Sequence, residues 1–323
     1  MQCNWGILGP GYVATRAVIP AIQRVSNAYV LAVASSDQER AQAASTRFGI
    51  ERSYTSYQAL LENPDIHAVY IALPNHLHRE WTIRAARAGK HVLCEKPLAM
   101  NAAECDEMIA VCQEANVLLM EAVMYRFHPR MIYLKRMLTA GELGDIRFLH
   151  TAFSFFLNAP ANYRNYPEFG GGALLDVGSY CINAARWLIG AEPQTIQAYV
   201  SYSRKLDVST SALLRFERDV FAHIQCSFAA AEHQVIEVVG STGAVTAPFA
   251  FTAWRDDPTV LMVQRGAAFD RIEFPPADPY QAMVAHFTDC VLGQASLLYP
   301  PEDGRATLRV LDTLKDIASI ENG

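Results

Sequence analysis

The chain has 323 residues, of which 51% are hydrophobic and 19% are charged, and its formal net charge is −6. At about 150 residues per domain this length predicts two domains, and the composition excludes disordered, collagen-like and coiled-coil proteins. No apolar run approaches the roughly 20 residues of a membrane span, the first eight residues lack a signal-peptide pattern, and no basic stripe indicates a nucleic-acid surface.

The first 123 residues alternate short apolar runs with helical patterns. The predicted strands are 4–8, 29–34, 53–54, 68–73, 91–94 and 117–123. The predicted helices are 12–25, 38–48, 57–62, 78–88 and 102–115, the first of them loosened at Pro20. Continuous apolar strands alternating with helices indicate a doubly wound parallel sheet, so residues 1–123 are predicted to form a dinucleotide-binding Rossmann domain.

After residue 123 the pattern changes to consecutive strands with few helices. The predicted strands are 146–156, 195–203, 210–216, 220–227 and 234–240, with edge strands at 245–249 and 259–264. The predicted helices are 129–140, 174–189, 279–292 and 301–320. This order indicates an α+β domain with an open, mostly antiparallel sheet over residues 124–300, which we expect to bind substrate and to mediate oligomerisation. The last segment, 301–323, is predicted to pack back on the first domain.

Seven cysteines are scattered along the chain without a CxxC pair or a zinc-ligand spacing. We therefore expect free thiols, a cytoplasmic location and no metal site.

A GxGxxA stretch lies between the first strand and the first helix. Gly9 permits the tight turn, Gly11 allows the backbone to approach a pyrophosphate, and Ala14 allows close packing of helix on strand. The helix N-terminus then offers N–H groups to the phosphates, so Tyr12 and Val13 are also predicted to contact the cofactor.

The end of the second strand bears on the choice between NAD and NADP. NAD sites usually place an acid there, whereas this chain has Ser35 and Ser36. Serine hydroxyls accommodate a 2′-phosphate, and Arg40 can add a positive charge. We therefore favour NADP, with NAD possible. Asp37 either faces the ribose hydroxyl or only caps the next helix.

Two further motifs follow strands of the predicted Rossmann sheet, at the edge where ligands bind. The first contains Leu73, Pro74, Asn75 and His78, which are predicted to reach cofactor phosphate or ribose, or else only to begin a helix. The second is Glu95-Lys96-Pro97. The Lys96 ammonium can hydrogen-bond a substrate hydroxyl and favour the deprotonated form of a neighbouring group, with Glu95 steadying the lysine or the cofactor.

A triple glycine at 170–172 opens a predicted helix that carries Asp176 and Tyr180 on one face. A tyrosine phenol beside a lysine is a plausible proton donor and acceptor for an alcohol–ketone pair, and Asp176 can orient a substrate hydroxyl. The alternative is that Asp176 is only a charge at the start of the helix and Tyr180 only a ring in the hydrophobic core.

In this order, the GxGxxA, Pro-Asn-x-x-His, Glu-Lys-Pro and GGG-x3-D-x-G-x-Y motifs resemble the Gfo/Idh/MocA oxidoreductase family over essentially the whole chain. Many members have histidine where Tyr180 stands and aspartate where Asn183 stands. Tyrosine is similar to the branch of glucose–fructose oxidoreductase, dimeric dihydrodiol dehydrogenase and NADP-dependent D-xylose dehydrogenase. The stretches Met120-Glu121-Ala122 and Arg126-Phe127-x-Pro129 also resemble that branch, although its usual arginine corresponds to Ser36 here.

The resemblance implies hydride transfer between a nicotinamide cofactor and a sugar or cyclic alcohol, most simply as an aldose 1-dehydrogenase. The alternatives are a sugar ketoreductase, a trans-dihydrodiol dehydrogenase or a catalytically silent nucleotide-binding regulator. Tyr180 is expected to move the proton, while Lys96 contacts the same oxygen. Other hydroxyls are expected to be positioned by Asp176, Arg126, Tyr163 and Asn183.

The open sheet leaves one face to be covered, which predicts a homodimer or a dimer of dimers. The apolar residues expected on that face are Val200, Tyr202, Leu214, Phe216, Ile224 and Phe228.

Overall fold

The computed structural model describes residues 1–253 and 255–321, the last four of them by their backbone alone. These residues form two compact units. The first contains Met1–Met124 and Tyr280–Arg305, and the second contains Tyr125–Pro279 and the chain from Ala306 onward. Among the described residues, no helix combines the length and apolar character needed to cross a membrane.

A parallel sheet forms the centre of the first unit. Its six strands, in the spatial order β3-β2-β1-β4-β5-β6, are β1 (Cys3–Leu8), β2 (Ala28–Ala34), β3 (Arg52–Tyr54), β4 (Ala68–Ile71), β5 (His91–Cys94) and β6 (Leu119–Glu121). The central strands are almost wholly buried, as expected for a sheet with helices on both faces. This confirms the predicted doubly wound fold.

The helices of this unit include α1 (Ile19–Arg24), α2 (Gln38–Phe48), α3 (Tyr57–Leu61), α4 (His78–Arg87) and α5 (Ala102–Glu114). A wide π-helical turn, Ala14–Val18, precedes α1, and Pro20 lies in the first turn of α1. Proline has no N–H to donate to the preceding turn, which accounts for the irregularity at this point.

The second unit is built on a mixed sheet. Its eight strands, in the spatial order β14-β13-β12-β11-β7-β10-β9-β8, are β7 (Ile146–Ser154), β8 (Thr195–Ser203), β9 (Leu206–Arg215), β10 (Phe221–Ser227), β11 (His233–Gly240), β12 (Gly243–Pro248), β13 (Thr259–Arg265) and β14 (Ala268–Phe274). Only the β7–β10 pair is parallel among these pairings. The predicted open, mostly antiparallel sheet is confirmed, although β14 was not anticipated because five of its seven residues are exposed and show no apolar face.

The helices of the second half are α6 (Pro129–Thr139), α7 (Ser179–Ile189), α8 (Pro279–Val291) and α9 (Pro301–Glu321). A π-helical turn, Leu174–Gly178, leads into α7. Residues 301–305 of α9 group with the first unit, whereas the helix from Ala306 onward groups with the second. This differs from the predicted packing of the whole segment 301–323 on the first domain; its last two residues lie outside the described ones. The physical reason lies at Thr307, whose hydroxyl accepts a hydrogen bond of 2.8 Å from Arg186 Nη1 of α7.

Helices α6 and α7 pack on one face of the mixed sheet, and the opposite face carries exposed apolar side chains. The cross-strand register puts these side chains on one face; they are Phe148, Tyr199, Leu213, Phe221, Met262 and Phe269. We call these six residues the open face. None of the six residues predicted for this surface belongs to the open face. Leu214, Phe216, Ile224 and Phe228 are buried on the helix-covered side, Val200 shares its side of β8 with buried Ala198, and Tyr202 follows a register shift. Adjacent residues such as Leu213 and Leu214 are both apolar, so alternation alone did not show which face the helices cover.

His128 caps the N-terminus of α6 and is buried there. Its Nδ1 accepts a hydrogen bond of 3.1 Å from the backbone N–H of Arg130, and only 1% of its surface is exposed. Burial, followed by repulsion from Arg130, lowers the pKa of His128 to about 4. The unfolded chain therefore binds this proton first as the pH falls. The stability that neutral His128 contributes is complete above pH ~6.5 and is lost as the pH falls towards 4.

We expect His128→Asn to flatten the loss of stability on acidification, because asparagine can cap the helix without titrating. Relative to pH 7, the wild type should lose about 2 kcal/mol more of its free energy of unfolding at pH 5 than the variant does. Urea unfolding at both pH values measures this difference. Parallel pH dependence of the two proteins would contradict the assignment.

Candidate active site

The turn after β1 is shaped by its first glycine. Gly9 has φ +88°, and a Cβ there would lie 2.8 Å from Leu73 Cδ2 and 2.9 Å from the carbonyl oxygen of Ala72. Leu73 and Ala72 directly follow β4, so the turn passes close against the neighbouring strand end. A side chain at Gly9 would therefore displace the turn.

The helix that follows this turn presents its N-terminus at the same sheet edge. Ala14 is fully buried, whereas Gly11 and Tyr12 are exposed and Val13 is half-buried. The Arg16 guanidinium lies 5.7 Å from the centre of the Tyr12 ring. The backbone N–H groups of the first helical turn and the positive end of the helix dipole fit a pyrophosphate, and the absence of a Cβ at Gly9 and Gly11 leaves space for it.

At the end of β2 the serines and Asp37 adopt different roles. Ser35 is buried, and its hydroxyl accepts a hydrogen bond of 3.2 Å from the Asp37 N–H. Asp37 caps α2 by accepting from the Arg40 N–H at 3.1 Å, and its carboxylate lies 3.8 Å from the Arg40 guanidinium. Ser36 and Arg40 are exposed. Of the two roles left open for Asp37, the structure shows the cap.

The ends of β4 and β5 are joined through His78. Leu73 and Asn75 are buried and Pro74 is half-buried. His78 is fully buried, and its two ring nitrogens each lie 2.9 Å from a backbone carbonyl oxygen, that of Leu73 and that of Pro97. Burial lowers the pKa of His78 although both carbonyls favour its cation. The imidazole thus links the two motif loops to each other, and its contact with the cofactor stays a prediction.

A buried tyrosine on β4 supports the Glu-Lys-Pro motif through a hydrogen bond to Glu95. The Tyr70 hydroxyl on β4 donates to Glu95 Oε1, and the other carboxylate oxygen accepts from the backbone N–H of Lys96 at 3.2 Å. Burial, followed by the Glu95 charge, raises the pKa of Tyr70, so it remains a hydrogen-bond donor. Glu95 therefore anchors the backbone at Lys96, as one of its two predicted roles requires. Lys96 itself is half-buried.

In the second unit, the triple glycine adopts its conformation around Asp207. Gly172 has φ +107°, and a Cβ there would overlap the Asp207 carboxylate. This carboxylate accepts from the Leu174 N–H at 2.6 Å, at the beginning of the helix that carries Asp176 and Tyr180. Burial raises the pKa of Asp207 to about 6, against the opposing effect of the backbone N–H of Leu174. Asp207 on β9 thus fixes the start of that helix.

Asp176 is buried and paired with an arginine from the preceding loop. Arg164 Nε donates to Asp176 Oδ2 at 2.7 Å, and Arg164 Nη2 donates to Oδ1 at 3.1 Å. The same guanidinium lies 4.8 Å from the centre of the Tyr163 ring. The structure therefore brings Tyr163 and Asp176 together through Arg164.

Tyr180 lies in an aromatic cluster, with ring centres 5.5 Å from both Phe153 and Phe251 and 6.0 Å from Tyr125. The Tyr180 ring is therefore buried among three other aromatic rings. The Tyr125 hydroxyl donates to Asn183 Oδ1 at 2.7 Å. The Asn183 Nδ2 in turn donates to Thr307 Oγ1 at 3.4 Å, so both polar atoms of this side chain have partners within the second unit.

Arg126 is almost wholly buried. Its guanidinium lies 5.2 Å from the centre of the Trp187 ring, and its Nη2 is 3.5 Å from the Asn183 carbonyl oxygen. Each unit therefore assembles its own set of predicted residues. The cofactor residues and Lys96 belong to the first unit, and Arg126, Tyr163, Asp176, Tyr180 and Asn183 belong to the second.

Sequence reasoning missed four residues that support these sets: Tyr70, Tyr125, Arg164 and Asp207. Tyr70 and Tyr125 lie in apolar runs and read as core residues. Arg164 lies twelve positions before Asp176 in an irregular loop, and Asp207 is 31 positions beyond it. The one available signal was the triple glycine, since three glycines in a row suggest a close approach by another part of the chain.

Two family models match the chain. The oxidoreductase family with an NAD-binding Rossmann fold (GFO_IDH_MocA) matches residues 3–123, and the GFO/IDH/MocA C-terminal domain matches residues 131–246.

Individual relatives match most of the length of this chain. D-xylose 1-dehydrogenase (NADP(+)) 2 of Haloferax volcanii is 36% identical over 97% of each chain. Trans-1,2-dihydrobenzene-1,2-diol dehydrogenase of Mus musculus is 34% identical over 85% of this chain and 81% of the relative.

A solved structure of a 3-ketoreductase from Actinomadura kijaniata, in complex with NADP and TDP-benzene, has a TM-score of 0.92, 32% identity and 98% coverage of both chains. Dehydrogenases and a reductase are thus both among the proteins that this chain resembles. The chain belongs to the Gfo/Idh/MocA family of NAD(P)-dependent oxidoreductases.

Proposed function

We propose that this protein is an aldose 1-dehydrogenase that uses NADP, taking hydride from the anomeric carbon of a sugar such as D-xylose or D-glucose. The observation that carries the proposal is that each unit holds one of the two predicted groups in place: Glu95 accepts from the Lys96 N–H at the end of β5, and three aromatic rings pack around Tyr180 on α7. A similar D-xylose dehydrogenase supports the choice of an aldose.

The dinucleotide is proposed to lie along the ends of β1, β2, β4 and β5. Direct contacts are assigned to Gly9, Gly11, Tyr12, Val13, Ser35, Ser36, Arg40, Leu73, Pro74, Asn75, Glu95 and Lys96. His78 supports these loops through its two carbonyl contacts. The preference for NADP is supported by the absence of an acid at Ser35 and Ser36, by the capping role of Asp37, and by relatives that carry NADP in their names or complexes.

When bound, NADP supplies the hydride acceptor, and the protein supplies alignment and proton transfer. Tyr180 accepts the proton from the sugar hydroxyl at the anomeric carbon. The Lys96 ammonium donates a hydrogen bond to the oxygen of the same sugar hydroxyl. Its positive charge also favours the ionised form of the Tyr180 phenol. Asp176 accepts hydrogen bonds from other hydroxyls and Asn183 accepts or donates them, with Arg126 and Tyr163 shaping the site.

A substrate panel tests the function. Aldoses, ketoses, a trans-dihydrodiol and 3-keto sugars are each assayed with NADP(H) and NAD(H), and the reduced nicotinamide is followed by absorbance. We expect the highest kcat/KM with an aldose and NADP. Highest activity towards a keto sugar with NADPH would favour the ketoreductase, which a similar structure also supports. Preference for the dihydrodiol would favour that dehydrogenase, which a relative supports.

A nucleotide-binding regulator is the alternative outside catalysis. It predicts that sugars alter the fluorescence of bound NADPH while no member of the panel is converted. The presence of lysine, aspartate and tyrosine together at positions 96, 176 and 180 argues against this alternative.

We propose that a second copy of the chain covers the open face, as a homodimer or a dimer of dimers. Six large apolar side chains on one sheet face exceed the scattered exposure of an ordinary surface. We also propose a reducing, cytoplasmic location, because all seven cysteines are free and buried.

Phe148→Glu places a charge near the middle of the open face, where Phe148 pairs directly with Phe221. We expect light scattering to give a dimer mass for the wild type at micromolar concentration and a monomer mass for the variant, because an unpaired charge cannot be buried in an apolar interface. Leu298→Glu changes an equally apolar, exposed residue elsewhere and serves as the control. A monomeric wild type would contradict the prediction.

A further inference from the structure

Arg164 is joined to the helix that carries Asp176 and Tyr180 more firmly than a surface loop residue usually is. Its guanidinium makes a bidentate contact with Asp176, whose side chain is only 5% exposed, while that of Arg164 is 26% exposed. Most ion pairs among the described residues, such as Arg84 with Glu80, are about half exposed on both sides. The Arg164–Asp176 pair differs from these because its carboxylate is almost fully buried.

The pair controls the charge of Asp176. A carboxylate buried without a partner takes up a proton, because desolvation disfavours its charged form. Burial alone lowers the pKa of Arg164, but the nearby Asp176 and Tyr163 outweigh it and raise the pKa, so the guanidinium remains charged. Two parallel N–H bonds from Arg164 also fix the plane of the carboxylate. Asp176 is thus kept ionised and in one orientation.

The backbone of Arg164 holds the loop to the start of the helix as well. The Gly172 N–H donates to the Arg164 carbonyl oxygen at 3.0 Å, and the Gly171 N–H donates to that of Tyr166 at 3.0 Å. A Cβ at Gly171 would overlap the Arg164 carbonyl group. Side chain and backbone of one residue therefore both connect the loop 158–169 to the helix that carries Asp176.

We propose that Arg164 is a positioning residue for sugar recognition, which keeps Asp176 ionised and oriented to accept hydrogen bonds from substrate hydroxyls. The inference rests on the proposed function. A carboxylate has about four lone-pair directions, and the contact with Arg164 uses two of them, so this pair by itself does not exhaust the capacity of Asp176 as an acceptor. The consequence is selectivity for neutral polyhydroxylated substrates, since the charge of Asp176 is already balanced.

Arg164→Gln, Arg164→Lys and Asp176→Asn test this, together with the double variant Arg164→Gln/Asp176→Asn. We expect Arg164→Gln to raise the KM for the best sugar at least tenfold, and Arg164→Lys to restore part of the loss because its ammonium keeps Asp176 charged. The dissociation constant of NADPH, measured by fluorescence, should stay within about twofold of the wild type in every variant. Arg84→Gln is the matched control, because Arg84 also pairs with a carboxylate and lies 4.8 Å over an aromatic ring, that of Trp81.

The pH profile separates positioning from a merely structural role. In Arg164→Gln, kcat/KM for the sugar should fall more steeply than in the wild type between about pH 8 and pH 6, because loss of the guanidinium charge makes protonation of Asp176 more favourable. The KM of the double variant for the sugar should be no higher than that of Asp176→Asn alone. Because the double variant carries two neutral side chains and no buried charge, it can still be measured if Arg164→Gln does not fold. A wild-type KM and pH profile in folded Arg164→Gln, or additive losses in the double variant, overturn the inference alone. A wild type that converts no member of the panel overturns the proposed function and this inference together.

Discussion

Lys96→Met and Tyr180→Phe will each lower kcat by two to four orders of magnitude, about the contribution of a positioned proton-transfer group. Methionine keeps the length of Lys96 without its charge, and phenylalanine removes only the hydroxyl of Tyr180. The aromatic contacts of Tyr180 with Phe153 and Phe251 remain available to the new ring. The loss should therefore appear in turnover and not in folding.

Steady-state kinetics on the best aldose measures these losses, and NADPH fluorescence titration shows that the cofactor still binds. Tyr29→Phe is a suitable control, because its hydroxyl donates to Glu51 at 2.6 Å on the surface of the first unit. It should turn over at the wild-type rate. Near-normal kcat in both site variants would remove Lys96 and Tyr180 from the chemistry.

Gly9→Ala will weaken NADP(H) binding by roughly 10- to 100-fold, with a rise in KM for the cofactor. An alanine at positive φ costs about 1–2 kcal/mol, and each 1.4 kcal/mol is a factor of ten in affinity. The added Cβ also meets the Leu73 side chain and the Ala72 carbonyl within 3 Å, so the turn must shift away from the position that admits a pyrophosphate.

Gly49→Ala separates this crowding from backbone strain alone. Gly49 ends α2 with φ +65°, and a Cβ there meets nothing within 4 Å. We expect Gly49→Ala to lose about 1 kcal/mol of stability while the dissociation constant of NADPH stays unchanged. Equal cofactor affinities in the two alanine variants would show that the turn at Gly9 does not contact the dinucleotide.

Local patterns were sufficient to predict the architecture. The alternation of apolar strands and helices up to Val123 predicted the parallel sheet, because strands buried on both faces have a continuous apolar sequence that few other structures require. The GxGxxA turn was predictable for a similar reason, since the need for glycine at Gly9 depends on one turn and the strand beside it. The predicted partners of hydride chemistry, Lys96 and Tyr180, came from motif order and stay a proposal.

Contacts between distant parts of the chain were not predictable in this way. His78 has the same sequence signature whether it contacts a phosphate or two carbonyls, and only its burial between Leu73 and Pro97 distinguishes these roles. Asp37 was likewise ambiguous until its bond to the Arg40 N–H showed a helix cap.

By itself, the sequence determined the two fold classes, the order of the elements and the positions of the glycine turns, because each depends on neighbours within a few residues. Only the tertiary structure decided which face of the mixed sheet is open, and that Arg164 and Asp207 hold the helix of Asp176. Alternation shows which side chains share a face but not what covers that face. Pairing between a loop and a helix, or between a strand and a glycine, depends on how the chain returns on itself, and no periodicity records that.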